Sequence, residues 1–196
     1  NGSQNPKCLF DPMPVTINRV LTLPKGDSME ILESAEMTNG ACTRVRLVFK
    51  PGGSRVPAHR HLLQDEHYEV LSGTVTYMLD RKIYQAPAGT KFTLPKGVIH
   101  EHYTVGPEDA VSIQTITPAL DFDVIVENLF GLGSEGRGVT LMDALAQGLV
   151  WIRKMKGPFY LALPIWLQRV LAAVVTPIAY ALGYRAVYRR FSGEEW

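Results

Sequence analysis

Between residues 15 and 119 turn signals recur so often that no helix of ordinary length fits between them. Pro24-Lys25-Gly26, Asn39-Gly40, Pro51-Gly52-Gly53, Ser72-Gly73, Pro87-Ala88-Gly89 and Gly106-Pro107 punctuate the stretch. Glycine supplies left-handed backbone at such points, and proline fixes φ while removing a donor. The runs between them, 15–23, 29–33, 42–50, 66–71, 74–80, 90–94, 98–105 and 110–117, are short and apolar or alternating. Around eight strands of this length, with turns this frequent, predict a mainly β sandwich or jelly roll over residues 14–120. Pro6, Pro12 and Pro14 make residues 1–13 an irregular arm.

The pattern changes after residue 120. Residues 121–132 predict a short helix ended by a Gly-rich turn at Gly131, Gly133, Gly136 and Gly138. Residues 140–156 predict an amphipathic helix with Leu141, Leu145, Leu149 and Ile152 on one face. Thr140 caps its start, Arg153, Lys154 and Lys156 suit its end, and Gly157-Pro158 stops it.

Residues 159–184 carry one charge, Arg169, and are flanked by arginines and lysines. Gln168-Arg169 interrupts the apolar run, Pro164 and Pro177 interfere with a continuous helix, and 170–184 is short for a bilayer crossing. Three readings stay open. The segment packs on the β domain or across its mouth, makes an oligomer contact, or anchors peripherally at a membrane interface. Residues 121–196 are therefore expected to be a C-terminal helical extension.

A hydrophobic share of 46% is enough for a packed core, so a disordered chain is excluded. A formal net charge of +1 offers no basic field for a nucleic-acid partner. Cys8 and Cys42 sit in no C-x-x-C pair and are expected to be free thiols. Asn1-Gly2-Ser3 spells a glycosylation sequon, expected to be a chance match, and no hydrophobic signal-like segment adjoins it.

All five histidines lie between positions 59 and 102. His59 and His61 are spaced i, i+2, so on a strand both project from one face, with backbones about 7 Å apart along it. Glu66 supplies an oxygen ligand after a four-residue excursion. The Pro95-Lys96-Gly97 turn and a return strand bring His100 toward the first three. Imidazole with carboxylate suits iron, manganese, nickel or zinc and leaves positions open for substrate or oxygen. His67 and Glu69 fall on the opposite strand face from Glu66 and are expected to point outward. His102, at i+2 from His100, shares the inward face and is a candidate donor or general base. Tyr68, placed on the same face as Glu66, is a second candidate for the catalytic pocket. A pocket-lining structural role is the alternative for both.

These residues resemble the cupin superfamily. Its first motif, Gly, five residues, His-x-His, three or four residues, Glu, six residues, Gly, is met by Gly53, His59, His61, Glu66 and Gly73. Its second, Gly, five residues, Pro-x-Gly, two residues, His, three residues, Asn, is met by Gly89, Pro95, Gly97 and His100. Thr104 stands where Asn is usual, at a position tied to the fold rather than the metal. The resemblance implies a single jelly-roll β-barrel holding one divalent metal on His59, His61, Glu66 and His100, iron first, with manganese, nickel or zinc open. It also implies a homodimer.

Fold does not fix reaction. A complete ligand set argues against a purely structural role, and no DNA-binding helix-turn-helix precedes the β region. The apolar tail, if it roofs the site, favours an apolar small-molecule substrate. The leading expectation is a metal-dependent oxygenase of dioxygenase type. The alternatives are an isomerase, cyclase or lyase using the metal as a Lewis acid, and a non-catalytic small-molecule-binding module. A cytoplasmic location is favoured, with peripheral membrane contact through 159–184 as the other possibility.

Overall fold

The computed structural model describes residues 15–55, 57–137 and 141–192. Ten strands fill the expected region: β1 (Val20–Thr22), β2 (Ser28–Glu33), β3 (Thr43–Phe49), β4 (His59–His61), β5 (Asp65–Ser72), β6 (Thr74–Leu79), β7 (Lys82–Pro87), β8 (Lys91–Leu94), β9 (His100–Tyr103) and β10 (Ala110–Thr117). An eleventh, β11 (Phe159–Leu161), comes from the C-terminal region. They form two antiparallel sheets, in the orders β1-β2-β3-β10-β5-β8 and β11-β4-β9-β6-β7. The mainly β jelly-roll architecture is as expected.

Period-two alternation decides which side chains enter the core. β3 turns Val45, Leu47 and Phe49 inward, β5 turns Glu66, Tyr68 and Val70, and β10 turns Ala110, Ser112, Gln114 and Ile116. Met29, Ile31, Val75, Ala86 and Leu94 complete this core. Burying each large aliphatic contributes about 1.5–3 kcal/mol relative to leaving it in water.

Three strand expectations need correction. Residues 15–19 are irregular, because Asn18 takes a left-handed φ of 60° and the backbone N–H of Thr16 turns to the Glu127 carboxylate at 2.9 Å. β7 was not foreseen. It pairs with β6 through a two-residue turn at Asp80 and Arg81, both at positive φ without the usual Gly or Asn. β11 falls within the apolar tail 159–184, where no strand is expected, and it pairs with β4.

Four helices follow the β region: α1 (Phe122–Ser134), α2 (Leu141–Lys154), α3 (Ile165–Ala181) and the single turn α4 (Arg189–Ser192). α1 runs two residues further than expected and ends in the Gly-rich turn at Gly136, which takes a φ of 71° while its N–H donates to Gly133 O. Gly131 and Gly133 lie inside it, where an added Cβ would stand 2.6 Å from the Phe191 ring and 2.4 Å from Leu23. α1 joins two cores, giving Phe122 and Val126 to the first and Val124 and Ile125 to a second. That second core also contains Val150, Trp151, Ala179 and Val187.

The buried face of α2 is not the predicted leucine stripe. Leu145 is exposed and Leu149 and Ile152 only half-buried, whereas Gln147, Val150, Trp151 and Met155 are buried. Directional bonds set this rotation. Trp151 Nε1 donates to Ala186 O (2.9 Å), Gln147 Nε2 to Arg185 O (2.8 Å), and Tyr188 OH to Gln147 Oε1 (2.8 Å). Pro164 caps α3 rather than breaking it, and Pro177 is accommodated inside it.

No described helix is long and apolar enough to cross a membrane. Cys42 is a free thiol. The arm 1–13, the sequon, Cys8, Gly138, the Thr140 cap and the side chain of Leu141 lie outside the described residues.

Candidate metal centre

His59 and His61 project from one face of β4, Glu66 enters from β5 in the opposite sheet, and His100 comes from β9. His59 and His100 face each other across the β4–β9 ladder. One donor atom from each of the four lies within 4.8 Å of the others, and all four side chains are buried. This is the one such cluster among the described residues.

The backbone sets the ring orientations. His59 Nδ1 lies 2.9 Å from Pro57 O and His100 Nδ1 lies 3.0 Å from Val98 O. A carbonyl only accepts, so each Nδ1 carries the proton and each Nε2 keeps its lone pair. His61 Nε2 stands 2.8 Å from Glu66 Oε1, and His100 Nε2 stands 3.3 Å from the same oxygen. The His100 Nε2 contact lacks hydrogen-bond geometry, so this buried nitrogen has no hydrogen-bond partner, as also holds for His61 Nδ1. A buried lone pair aimed at a carboxylate and two further imidazoles fits a divalent cation, which would satisfy it.

Burial alone would raise the Glu66 pKa, but the adjoining His61 outweighs it and holds Glu66 well below the usual carboxylate range. Burial, reinforced by His61 and His100, pushes His59 down to about 3. At neutral pH the cluster thus presents a carboxylate and a neutral His59, the forms that ligate a metal.

The cupin-domain family matches residues 45–116, the stretch that contributes all four of these side chains. The chain carries a cupin domain. Solved structures with similar folds include KdgF from Halomonas sp., 19% identical, with 53% of this chain and 89% of that chain covered at a TM-score of 0.46. They also include an RmlC-like cupin from Shewanella frigidimarina, 24% identical, covering 52% and 85% at 0.44. A predicted oxalate decarboxylase from Thermotoga maritima is 25% identical, covering 55% and 94% at 0.45. No curated protein matches the chain by sequence.

Within the cupin domain, two motif glycines have steric reasons. A Cβ on Gly53 would lie 2.1 Å from Asp27 Oδ1, part of a carboxylate that accepts from the backbone N–H groups of Lys50 and Ser54. A Cβ on Gly73, already at a φ of 67°, would lie 2.2 Å from Asp109 O. Thr104, in place of the usual Asn, donates to Thr74 O at 3.1 Å, a contact between strands. Gln64 holds the excursion between His61 and Glu66 by donating to Pro118 O and Ala119 O.

Tyr68 and His102 are both buried beside the cluster, as the strand alternation predicts. Tyr68 OH donates to Glu66 Oε2 (3.1 Å) and its oxygen lies 3.1 Å from His102 Nδ1. Burial lowers the His102 pKa to about 4, and burial with the Glu66 charge raises that of Tyr68 well above its ordinary value. His67 is exposed with Nδ1 3.0 Å from Thr93 Oγ1, and Glu69 pairs with Lys91, so both point outward as expected.

Gln114 was missed. Its Nε2 donates to Glu66 Oε2 at 2.8 Å, so with Tyr68 it ties down one carboxylate oxygen while the other faces the imidazoles. The signal was present in β10, where Ser112 and Gln114 occupy inward positions otherwise filled by Ala110 and Ile116.

Residues after 120 do close over the cluster. β11 lies beside β4, with Phe159 opposite His61. The Phe159 ring is 5.6 Å from that of His59 and 6.5 Å from that of His61, and the Phe122 ring is 6.0 Å from His61. Trp151 backs Phe159 at 6.0 Å. The imidazoles thus meet an aromatic wall rather than open solvent.

Proposed function

We propose that this cupin domain is a metal-dependent enzyme acting on a small apolar metabolite, most simply as a dioxygenase-type oxygenase. One divalent ion would be held by His59, His61, Glu66 and His100. The observation that carries this reading is the buried three-imidazole, one-carboxylate donor set walled by Phe122 and Phe159. Bound there, the ion would supply an electrophilic centre with open positions for a substrate oxygen and, as iron, for dioxygen chemistry.

The chain's own groups would do the rest. Phe122 and Phe159 keep water from the ligands and favour an apolar substrate. Tyr68 and Gln114 hold the outer oxygen of Glu66, so its inner oxygen stays directed at the imidazoles.

A second reading, Lewis-acid isomerisation, cyclisation or elimination, is favoured by one specific arrangement. If His102 Nδ1–H donates to Tyr68, whose hydroxyl donates to Glu66, then His102 Nε2 is an unprotonated base at neutral pH. His102 would accept a substrate proton, with Tyr68 holding its ring in place.

Metal analysis by mass spectrometry tests both readings, on the purified protein and on His100→Ala. About one equivalent of iron, lost in the variant, followed by oxygen uptake dependent on added lipophilic metabolite extract, supports the oxygenase. Zinc, nickel or manganese with turnover indifferent to oxygen supports the proton-transfer reading. Absence of metal even after reconstitution overturns the enzymatic proposal and leaves a small-molecule-binding module.

A further inference from the structure

α3 is built inside out. Its buried positions are Gln168, Ala172, Thr176 and Ala179, small or polar side chains that pack against the rest of the fold. Its large apolar side chains face away: Trp166 is 68% exposed, Val174 62% and Ile178 59%, with Val170 and Leu171 beside them. Arg169 is the sole charged or polar residue among the helix's exposed positions. Just past its end, Leu182 is 72% exposed and extends the same surface. A surface helix on a protein meant only for water shows the opposite pattern.

Cations predominate around this face, with the Asp143 carboxylate accepting from Tyr184 OH near its C-terminal end. Residues 144–192 contain seven arginines and lysines and no carboxylate. The whole chain has 20 cations against 19 carboxylates, so the remainder is net acidic. The cations also sit at the rim of the apolar face. Arg169 is on α3 itself, with its guanidinium 5.8 Å from the Tyr160 ring. Lys154 and Arg185 flank Tyr180 near the other end, at 5.4 and 5.2 Å from its ring.

We propose that α3 docks this protein on the anionic surface of a lipid bilayer. The helix lies in the interfacial plane, with Trp166, Val170, Val174 and Ile178 among the upper acyl chains. Arg169, Lys154 and Arg185 sit at headgroup level. Seventeen residues span only about 25 Å. That length, the exposed tryptophan near its start and the cationic rim describe a helix that lies on a membrane rather than crossing it. A second copy of the chain fits this surface poorly, because pairing two such faces sets cation against cation around the apolar contact. The inference is independent of which reaction the metal centre performs.

The test is cosedimentation of the full chain with vesicles of phosphatidylcholine alone or with about one third phosphatidylglycerol. Binding to the mixed vesicles at least about tenfold tighter than to neutral ones, and weakened by salt, is expected. Val174→Asp with Ile178→Asp should lower vesicle binding about tenfold or more, with metal content and melting temperature unchanged. Arg169→Gln with Lys154→Gln should lose the preference for anionic lipid while keeping residual apolar binding. Failure of the wild-type protein to bind, equal binding to both vesicle types, or binding unaffected by the aspartate pair would each overturn the proposal. A dimer in light scattering that the aspartate pair dissociates, without vesicle binding, would assign the face to a second copy instead.

Discussion

The jelly roll and the C-terminal helices use burial in opposite ways. In the jelly roll, strand alternation drives Val45, Leu47, Tyr68 and Ile116 inward, and the polar residues that follow them in are concentrated at one place. There, Glu66 accepts from Tyr68 and Gln114 and faces His61 and His100, and the buried His61 Nδ1 and His100 Nε2 keep no hydrogen-bond partner. In α3 the inward positions hold alanine, threonine and glutamine, and the bulk is outside. The contrast teaches that apolar content alone does not locate a core. Where a helix is held by specific bonds, such as Gln168 Nε2 to Leu161 O (3.1 Å) and to Leu163 O (3.0 Å), its greasy side is free for another purpose.

The contrast predicts its own largest test. Leu47→Ala should cost about 2–5 kcal/mol in urea unfolding, because it empties a closed space between the sheets. Val174→Ala removes a comparable apolar side chain from α3 and should change stability by no more than about 0.5 kcal/mol. Equal losses would mean that α3's outer face is packed after all.

A smaller effect probes how the polar cluster is held. Gln114→Ala frees one oxygen of Glu66 and should weaken metal affinity about ten- to a hundredfold in a chelator competition, with the fold retained. An unchanged affinity would show that Tyr68 alone orients the carboxylate.

A third test is a pH dependence that arises from buried histidines of the jelly roll. His59 and His102, at about 3 and about 4, stay neutral in the folded metal-free protein, whereas unfolded histidine titrates near 6.5. The unfolded state therefore binds more protons below that pH, and stability must fall as the pH drops from about 6.5 toward 4. Thermal melts of chelator-treated protein at stepped pH should show this decline, and His102→Phe should flatten it. A melting temperature constant over that window would contradict the buried, neutral histidines.

The candidate metal cluster was legible because its members sit close in sequence at spacings with a geometric meaning. His59 and His61 at i, i+2 share a strand face, and so do Glu66 and Tyr68, and His100 and His102. Glycine and proline marked the turns, and so the strands between them. What stayed hidden depended on partners distant in sequence. β11 is three residues long and is a strand only because β4 lies beside it. The rotation of α2 is set by Arg185, Ala186 and Tyr188, which no periodicity within the helix reveals. Gln114 was visible in its own strand, but its target on β5 was not. The inverted face of α3 was blurred because its apolar residues occur all round, so pattern alone did not say which side turned inward.

The position of Phe159 also has a consequence for biosynthesis. The four candidate ligands are all translated by residue 100, whereas Phe122 and Phe159, which wall them in, arrive 22 and 59 positions later. At roughly 5–20 residues per second, the longer delay lasts several seconds on the ribosome. Once β10 has joined β3 to β5, the candidate ligands would still lack the cover of Phe159, and an ion would have a shorter path in. Any metal that the finished protein holds would then reflect what the cell supplies at that moment as well as the donor set itself.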